Sequence, residues 1–236
     1  MTFDELFPRY RQRLSHRSQR PCGRRSMVEM CRADDSDFCR EVVAKGLLTE
    51  EQMHRAAERY QLGKSRSGKT IFWMIDERGI CQDGRIGESW VSTMLKRREP
   101  ELLGGWYPEH CLFGMHLISR PPLTPPVGGG QAVAIVEQER SAVILSELYP
   151  DFLWMAVAHY AGFTTDRLKP LLGHRVCIFP NTDETMSNYV MWLELAERAR
   201  SKYHLDITVS HVLEENATAQ QKEQCIDLVD FLFHTD

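Results

Sequence analysis

The sequence predicts an α/β protein. A parallel sheet of at least four strands flanked by helices fills its C-terminal half, and a small helical and β-hairpin region precedes it. Three observations carry that expectation. Apolar runs at 132–136, 152–157, 175–179 and 205–212 alternate with helical stretches at 140–148, 166–172, 183–202 and 218–233. Continuous apolar strands separated by helices describe strands buried on both faces and joined by right-handed crossovers. Ahead of this repeat, Pro121, Pro122, Pro125, Pro126, Gly128, Gly129 and Gly130 make a linker. Earlier still, TIFWMI at 70–75, rich in aromatic and β-branched residues, is followed by Asp76-Glu77-Arg78-Gly79. That is strand and turn chemistry, so a hairpin is expected near residues 70–82, outside the parallel sheet.

The remaining elements follow in chain order. Residues 1–33 read as a basic arm, with Arg9, Arg11, Arg13, Arg17, Arg20, Arg24 and Arg25 against Asp4 and Glu5. A helix is expected over 34–45, with Gly46 just past its end. A second begins at Thr49, where Thr49-Glu50-Glu51-Gln52 is a capping box, and runs to about Tyr60. The stretch 90–126 is irregular, with Gly104-Gly105-Trp106 and the apolar Cys111-Leu112-Phe113-Gly114-Met115. The expected division is therefore a basic arm at 1–33, a small α+β region at 34–126 and the α/β domain at 131–236.

Composition narrows the class. At 236 residues the chain suits one large domain or two unequal units. Its 42% hydrophobic and 26% charged residues are ordinary for a globular protein, and no apolar run approaches the ~20 residues needed to span a bilayer. No membrane partner is expected. The N-terminus has arginines but no secretory h-region, which makes a cytoplasmic protein the expectation. Seven cysteines, at 22, 31, 39, 81, 111, 177 and 225, are odd in number, scattered and without a CxxC pair. Reduced thiols fit them better than disulfides or structural zinc. None of the nine histidines forms a ligand-spaced pair with another, and His110, His116, His159 and His174 read as structural or surface residues. The net charge of −4 argues against a broadly basic surface, so phosphate contact would fall to the arm, whose alternative is a solvated tail.

Residues 63–70, GKSRSGKT, satisfy the phosphate-binding pattern G-x-x-x-x-G-K-[ST]. That motif works where a strand delivers the loop to the N-terminus of the following helix. Here a predicted helix precedes the loop and a predicted strand follows it, so an exposed cationic connection is expected instead.

In parallel sheets, functional groups collect where strands end and helices begin. That rule selects Glu137, Asn181, Asp183, Glu214 and Glu215. Structural roles compete: Glu137 and Glu139 suit the positive end of a helix dipole, and Asp183 suits an N-cap.

VAIVEQERSAVILSELYP, then FLWMA, then HRVCIFPNTDE resembles the Toprim domain of primases and topoisomerases. In that domain an acidic residue follows the first strand and a D-x-D motif follows the third. More narrowly, AERYQLGKSRSGKTIFWMID and HCLFGMHLI ahead of this stretch resemble a Toprim-like family of bacterial mobile-element proteins related to replicative primases. The resemblance implies magnesium-dependent nucleotidyl or phosphoryl transfer. Glu137 would be the general acid/base and, with Asn181 and Asp183, would hold magnesium. The chemistry is coherent, because carboxylates place a hard cation beside a phosphate and a further carboxylate moves a hydroxyl proton. Two positions depart from the pattern: Asn181 brings no charge to the first D-x-D position, and Gln138 replaces the usual small residue after the glutamate. The cysteine-rich zinc segment that often opens such proteins is missing. The resulting expectation is a primase-related protein of a mobile element, tied to DNA replication, that acts on or binds nucleic acid. The alternative is a catalytically silent Toprim-fold module that binds nucleic acid or a replication partner protein.

Overall fold

The computed structural model describes residues 24–98, 110–119, 131–158 and 163–233. Two compact units divide the chain, Met1–Cys111 and Leu112–Asp236. The arm before residue 24, Gly104-Gly105-Trp106, the Pro/Gly linker and His159 lie outside the described residues.

The first unit contains α1 (Arg24–Cys31), α2 (Asp37–Ala44), α3 (Glu50–Tyr60), β1 (Gly63–Lys64), β2 (Thr70–Ile75), β3 (Cys81–Ile86), β4 (Ser89–Trp90) and α4 (Val91–Arg98). The expected hairpin is β2–β3, and β1 and β4 extend it into an antiparallel sheet of order β1-β2-β3-β4. Its turn is built by Asp76. One carboxylate oxygen accepts from the amides of Arg78 (3.0 Å) and Ile80 (2.8 Å), the other from Gln82 Nε2 (2.8 Å), and Gly79 takes φ 77°. Thr49 and Gln52 form the predicted capping box reciprocally at the start of α3.

The basic-arm boundary needs correcting. Residues 24–31 are a helix, and Arg32 bridges to Gly63. Met27, Val28 and Cys31 of α1 pack with Ile71, Trp73, Ile75, Val91 and Leu95 into a buried cluster. The arginine count hid this short apolar face. Trp73, wholly buried, crosses the sheet so closely that a Cβ added at Gly84 would lie 2.6 Å from its ring and one at Gly63 2.7 Å from its Nε1. In β3, the buried Asp83 accepts from the amides of Gly84 (2.7 Å) and Ser92 (3.0 Å) and from Ser92 Oγ (2.5 Å), which ties down the start of α4. Burial pushes the Asp83 carboxyl above the ordinary aspartate range against these donors.

The second unit contains β5 (Ala132–Val136), α5 (Glu139–Leu148), β6 (Phe152–Ala156), a 3₁₀ turn at Thr165–Leu171, β7 (Arg175–Ile178), α6 (Ser187–Tyr203), β8 (Asp206–Val209), α7 (Val212–Asn216), α8 (Ala219–Glu223) and α9 (Leu228–Phe233). The four strands form a wholly parallel sheet of order β6-β5-β7-β8. Mixed α/β architecture with a four-stranded parallel sheet is thus as expected. Two helices differ from the sequence reading. Residues 165–171 wind as a 3₁₀ helix with Pro170 inside, where no amide is available for an α-helical bond. The stretch 218–233 breaks into α8 and α9 at Cys225, whose φ is 53°, and Asp227 accepts from the Asp230 amide (2.9 Å) to start α9.

The division between units falls before the Pro/Gly stretch instead of within it. Phe113 makes a reciprocal antiparallel bridge with Ala156 at the outer edge of β6 (N···O 2.9 and 3.0 Å), so 112–119 belongs to the α/β unit. No described helix is long and apolar enough to cross a membrane.

Candidate functional site

The strand order locates the site. β6 lies on one side of β5, and β7 and β8 lie on the other, so the winding reverses between β5 and β7. Crevices for ligands in such sheets open at the carboxyl ends of the two strands flanking that reversal. Glu137 follows β5 and the 179–183 loop follows β7, which places three of the sequence-selected residues at the reversal. The ladder continues past the strand ends: the Phe179 amide donates to Ile135 O (2.8 Å) and the Ala158 amide to Glu137 O (3.1 Å). Ala158 (φ 65°) and Met186 (φ 58°) both hold left-handed backbone at this edge, a conformation that side chains larger than glycine resist.

Glu137 acts here as an acceptor. Its Oε1 takes hydrogen bonds from the Asn181 amide (3.1 Å), Asn188 Nδ2 (2.6 Å) and Trp192 Nε1 (3.1 Å). Asn188 Nδ2 also donates to Asn181 O at 3.0 Å. Helical spacing explains the geometry: positions 188, 192, 195 and 199 share the inner face of α6, and Trp192, Leu195 and Ala199 are buried there.

Asp183 builds the approach to that helix. Oδ1 accepts from the Thr185 amide (2.8 Å), Thr185 Oγ1 (2.6 Å) and the Ser187 amide (3.1 Å); Oδ2 accepts from the Asn188 amide (2.7 Å) and Ser187 Oγ (3.2 Å). Burial works to raise its pKa, but the Thr185 hydroxyl and the amides of Asn188, Thr185 and Ser187 outweigh it and hold the carboxyl well below the usual carboxylate range. The amides at the first turn of a helix are where a phosphate would be held. Here the chain's own carboxylate already occupies them.

Glu137 and Asp183 therefore meet through one residue, Asn188, which gives its side chain to the first and its amide to the second. Asn181 contributes its backbone to this network. Glu214, also selected by the strand-end rule, holds the same loop from the far side: its Oε1 accepts from Thr182 Oγ1 (2.9 Å), and Lys222 Nζ lies 3.5 Å from Oε2. The sequence reading missed Asn188 and Trp192. Their one signal was the i, i+4 spacing on a helix facing a strand-end carboxylate.

As a magnesium site these residues fit poorly. Magnesium demands near-ideal octahedral oxygen ligation. Both oxygens of Asp183 are committed to five donors, so ligation by Asp183 would displace hydrogen bonds that hold the first turn of α6, and Glu137 Oε1 already serves three donors. Among the described residues no group of three His, Cys, Asp or Glu side chains is arranged to hold a metal ion.

The phosphate-loop look-alike is the β1–β2 turn. Ser65 and Lys69 pair across it, and Gly68 (φ 84°) closes it on Ser65 O. The loop does meet a helix N-terminus, but that of the upstream α2, and it caps that end itself. The Asp37 amide donates to Gly68 O (2.9 Å) and the Phe38 amide to Thr70 Oγ1 (3.2 Å), while the Thr70 amide donates to Asp37 Oδ1 (2.8 Å). Those amides are consumed, and Lys69 is exposed. Lys69→Ala is expected to leave stability and any nucleotide affinity unchanged. Thr70→Val, which removes a buried hydroxyl 2.6 Å from Ser36 Oγ, is expected to cost about 1–2 kcal/mol in urea denaturation.

A family model described as a domain of unknown function (DUF6371) matches residues 37–182, more than half of the chain. This chain belongs to that family. The match begins at Asp37, which pairs with the look-alike loop, and takes in Glu137 and Asn181. It ends one residue before Asp183, so Asn188 and Trp192 lie beyond it. No curated protein matches the chain.

Proposed function

We propose that this protein is a catalytically silent, nucleic-acid-binding member of the Toprim-like, primase-related proteins of mobile elements, in which the acidic positions hold the sheet edge together. The observation that carries the reading is the commitment of both Asp183 oxygens to five donors at the start of α6. A retained fold does not entail retained chemistry, and a charge-neutral Asn181 removes one anionic ligand as well. Charge partition supports binding through the first unit. Residues 1–111 hold 20 Lys and Arg against 17 Asp and Glu, whereas residues 112–236 hold 9 against 16. Phosphates are drawn to the former and repelled by the latter.

The test titrates labelled single-stranded DNA and RNA with the full chain across a salt series, with Glu137→Gln and Asp183→Asn in parallel. Affinity is expected to fall steeply with salt, both variants are expected to bind as the parent does, and replacing Arg9, Arg11 and Arg13 with alanine is expected to flatten the slope by about 2. Magnesium and manganese are expected to leave the melting temperature of all three proteins unchanged. Metal stabilisation of the parent that disappears in the carboxylate variants would restore metal-dependent nucleotidyl or phosphoryl transfer as the function. Failure to bind either nucleic acid at low salt would remove the binding reading.

A further inference from the structure

The first unit holds a titratable pair of its own. Asp83 lies wholly buried in β3, and His110 Nε2 stands 3.6 Å from its Oδ2. Trp90 fixes the imidazole: the two rings meet nearly edge-on, with centroids 4.1 Å apart and planes at 70°. The His110 side chain is 23% exposed and that of Asp83 not at all. A proton therefore reaches the imidazole from solvent, while its charge acts on a group inside.

Burial makes that charge matter. An ionised carboxylate taken out of water is costly unless donors and an opposite charge compensate it. The Gly84 and Ser92 amides and Ser92 Oγ supply donors, none of them charged. β2, β4, α1 and α4 pack on β3. β2 sets Met74 opposite Asp83, β4 carries Trp90, and Cys81 of β3 itself donates its thiol to the Asp83 carbonyl. The charged side chains described on these elements are Glu29 of α1 and Lys96 and Arg97 of α4, all exposed, and Arg85 of β3, which pairs with Glu88. Burial raises the Asp83 carboxyl, the Ser92 and Gly84 donors oppose that rise, and the charge of His110 opposes it too.

We propose that His110 and Asp83 form a pH-sensitive clasp, in which a protonated His110 fastens residues 110–111, the end of the first unit, to β3, and a neutral one releases that hold. A histidine that gains a carboxylate partner titrates higher in the folded chain than in the unfolded one. Its stabilisation is fully present below the unfolded value of ~6.5 and is lost as pH rises through the folded value. Asp83, raised by burial, contributes stability that is present below its ordinary 3.8 and lost as pH rises through its own folded value. Comparing the parent with a variant that lacks only the imidazole isolates the histidine.

Two measurements on the full chain test the clasp. Followed by NMR from pH 5 to 9, the His110 imidazole is expected to titrate about one unit above the ordinary ~6.5 in the parent, and at the ordinary value in Asp83→Asn. In urea, the midpoint of the parent is expected to exceed that of His110→Gln by about 0.5 M at pH 6, with the gap closed by pH 9. The difference between these two proteins cancels the contributions of His54 and His211, which have carboxylate neighbours of their own. His110→Gln keeps a polar side chain at a partly exposed position, so it and the parent titration decide the matter even if Asp83→Asn does not fold. A His110 that titrates at or below the ordinary value would overturn the proposal. So would a midpoint gap that is the same at pH 6 and pH 9, since a plain packing contact does not depend on the proton.

Discussion

Glu137→Leu is expected to destabilise the protein by about 3 kcal/mol, the largest effect of any single change at the sheet edge. Leucine fills a similar volume but leaves the Asn181 amide, Asn188 Nδ2 and Trp192 Nε1 without their shared acceptor. Each buried donor left unsatisfied costs ~1–3 kcal/mol, and the partial exposure of Glu137 lets water recover some of that. Trp192 is fully buried, so its indole N–H is the donor least able to find water. Glu137→Gln keeps an acceptor oxygen and is expected to lose roughly half as much. Urea denaturation of the three proteins, with m-values compared to confirm a common unfolded state, measures both effects. A loss below about 0.5 kcal/mol in Glu137→Leu would mean that water already serves these donors, leaving the glutamate free for chemistry.

Asp183→Ala is expected to cost about 2 kcal/mol at neutral pH, at the upper end for loss of a helix cap, because five donors lose their acceptor together. The sign of the pH dependence follows from the lowered pKa. A carboxyl held below its ordinary value in the folded protein contributes stability that is fully present above the unfolded value near 3.8 and is lost as pH falls through the folded value. The parent and Asp183→Ala should therefore differ by a constant amount from pH 7 down to about pH 5 and converge below pH 4. Asp183→Asn, with one acceptor oxygen retained and the charge gone, should fall between them and show the same convergence. Thermal melts from pH 3 to 7 supply the comparison. A gap that widens toward acid would contradict the hydrogen-bonding pattern at α6.

The two effects are coupled through Asn188, which serves both carboxylates. The double variant should lose less than the sum of the singles, since the first change already frees the residue that the second relies on.

Much of the fold was legible locally. The Thr49 capping box, the Asp76 turn and the four apolar runs each depend on neighbours within a few residues, and hydrophobic period or side-chain-to-backbone bonding announces them directly. The look-alike phosphate loop could be rejected on the same ground, since a preceding helix and a following strand are readable without a structure. Helix α1 was not, because eight residues opened by two arginines show little apolar periodicity until Trp73 supplies a surface to pack on.

The candidate site divides along the same line. Sequence alone determined that carboxylates stand at the ends of β5 and β7, because each sits next to an apolar run and ahead of a helix. Only the tertiary structure decided how they are used. The order β6-β5-β7-β8 brings Glu137 to a loop 44 residues away and to Asn188 and Trp192, 51 and 55 residues away. Strand order and hydrogen bonds over such separations are set by which faces bury together, a property of the whole packed unit that no local pattern encodes.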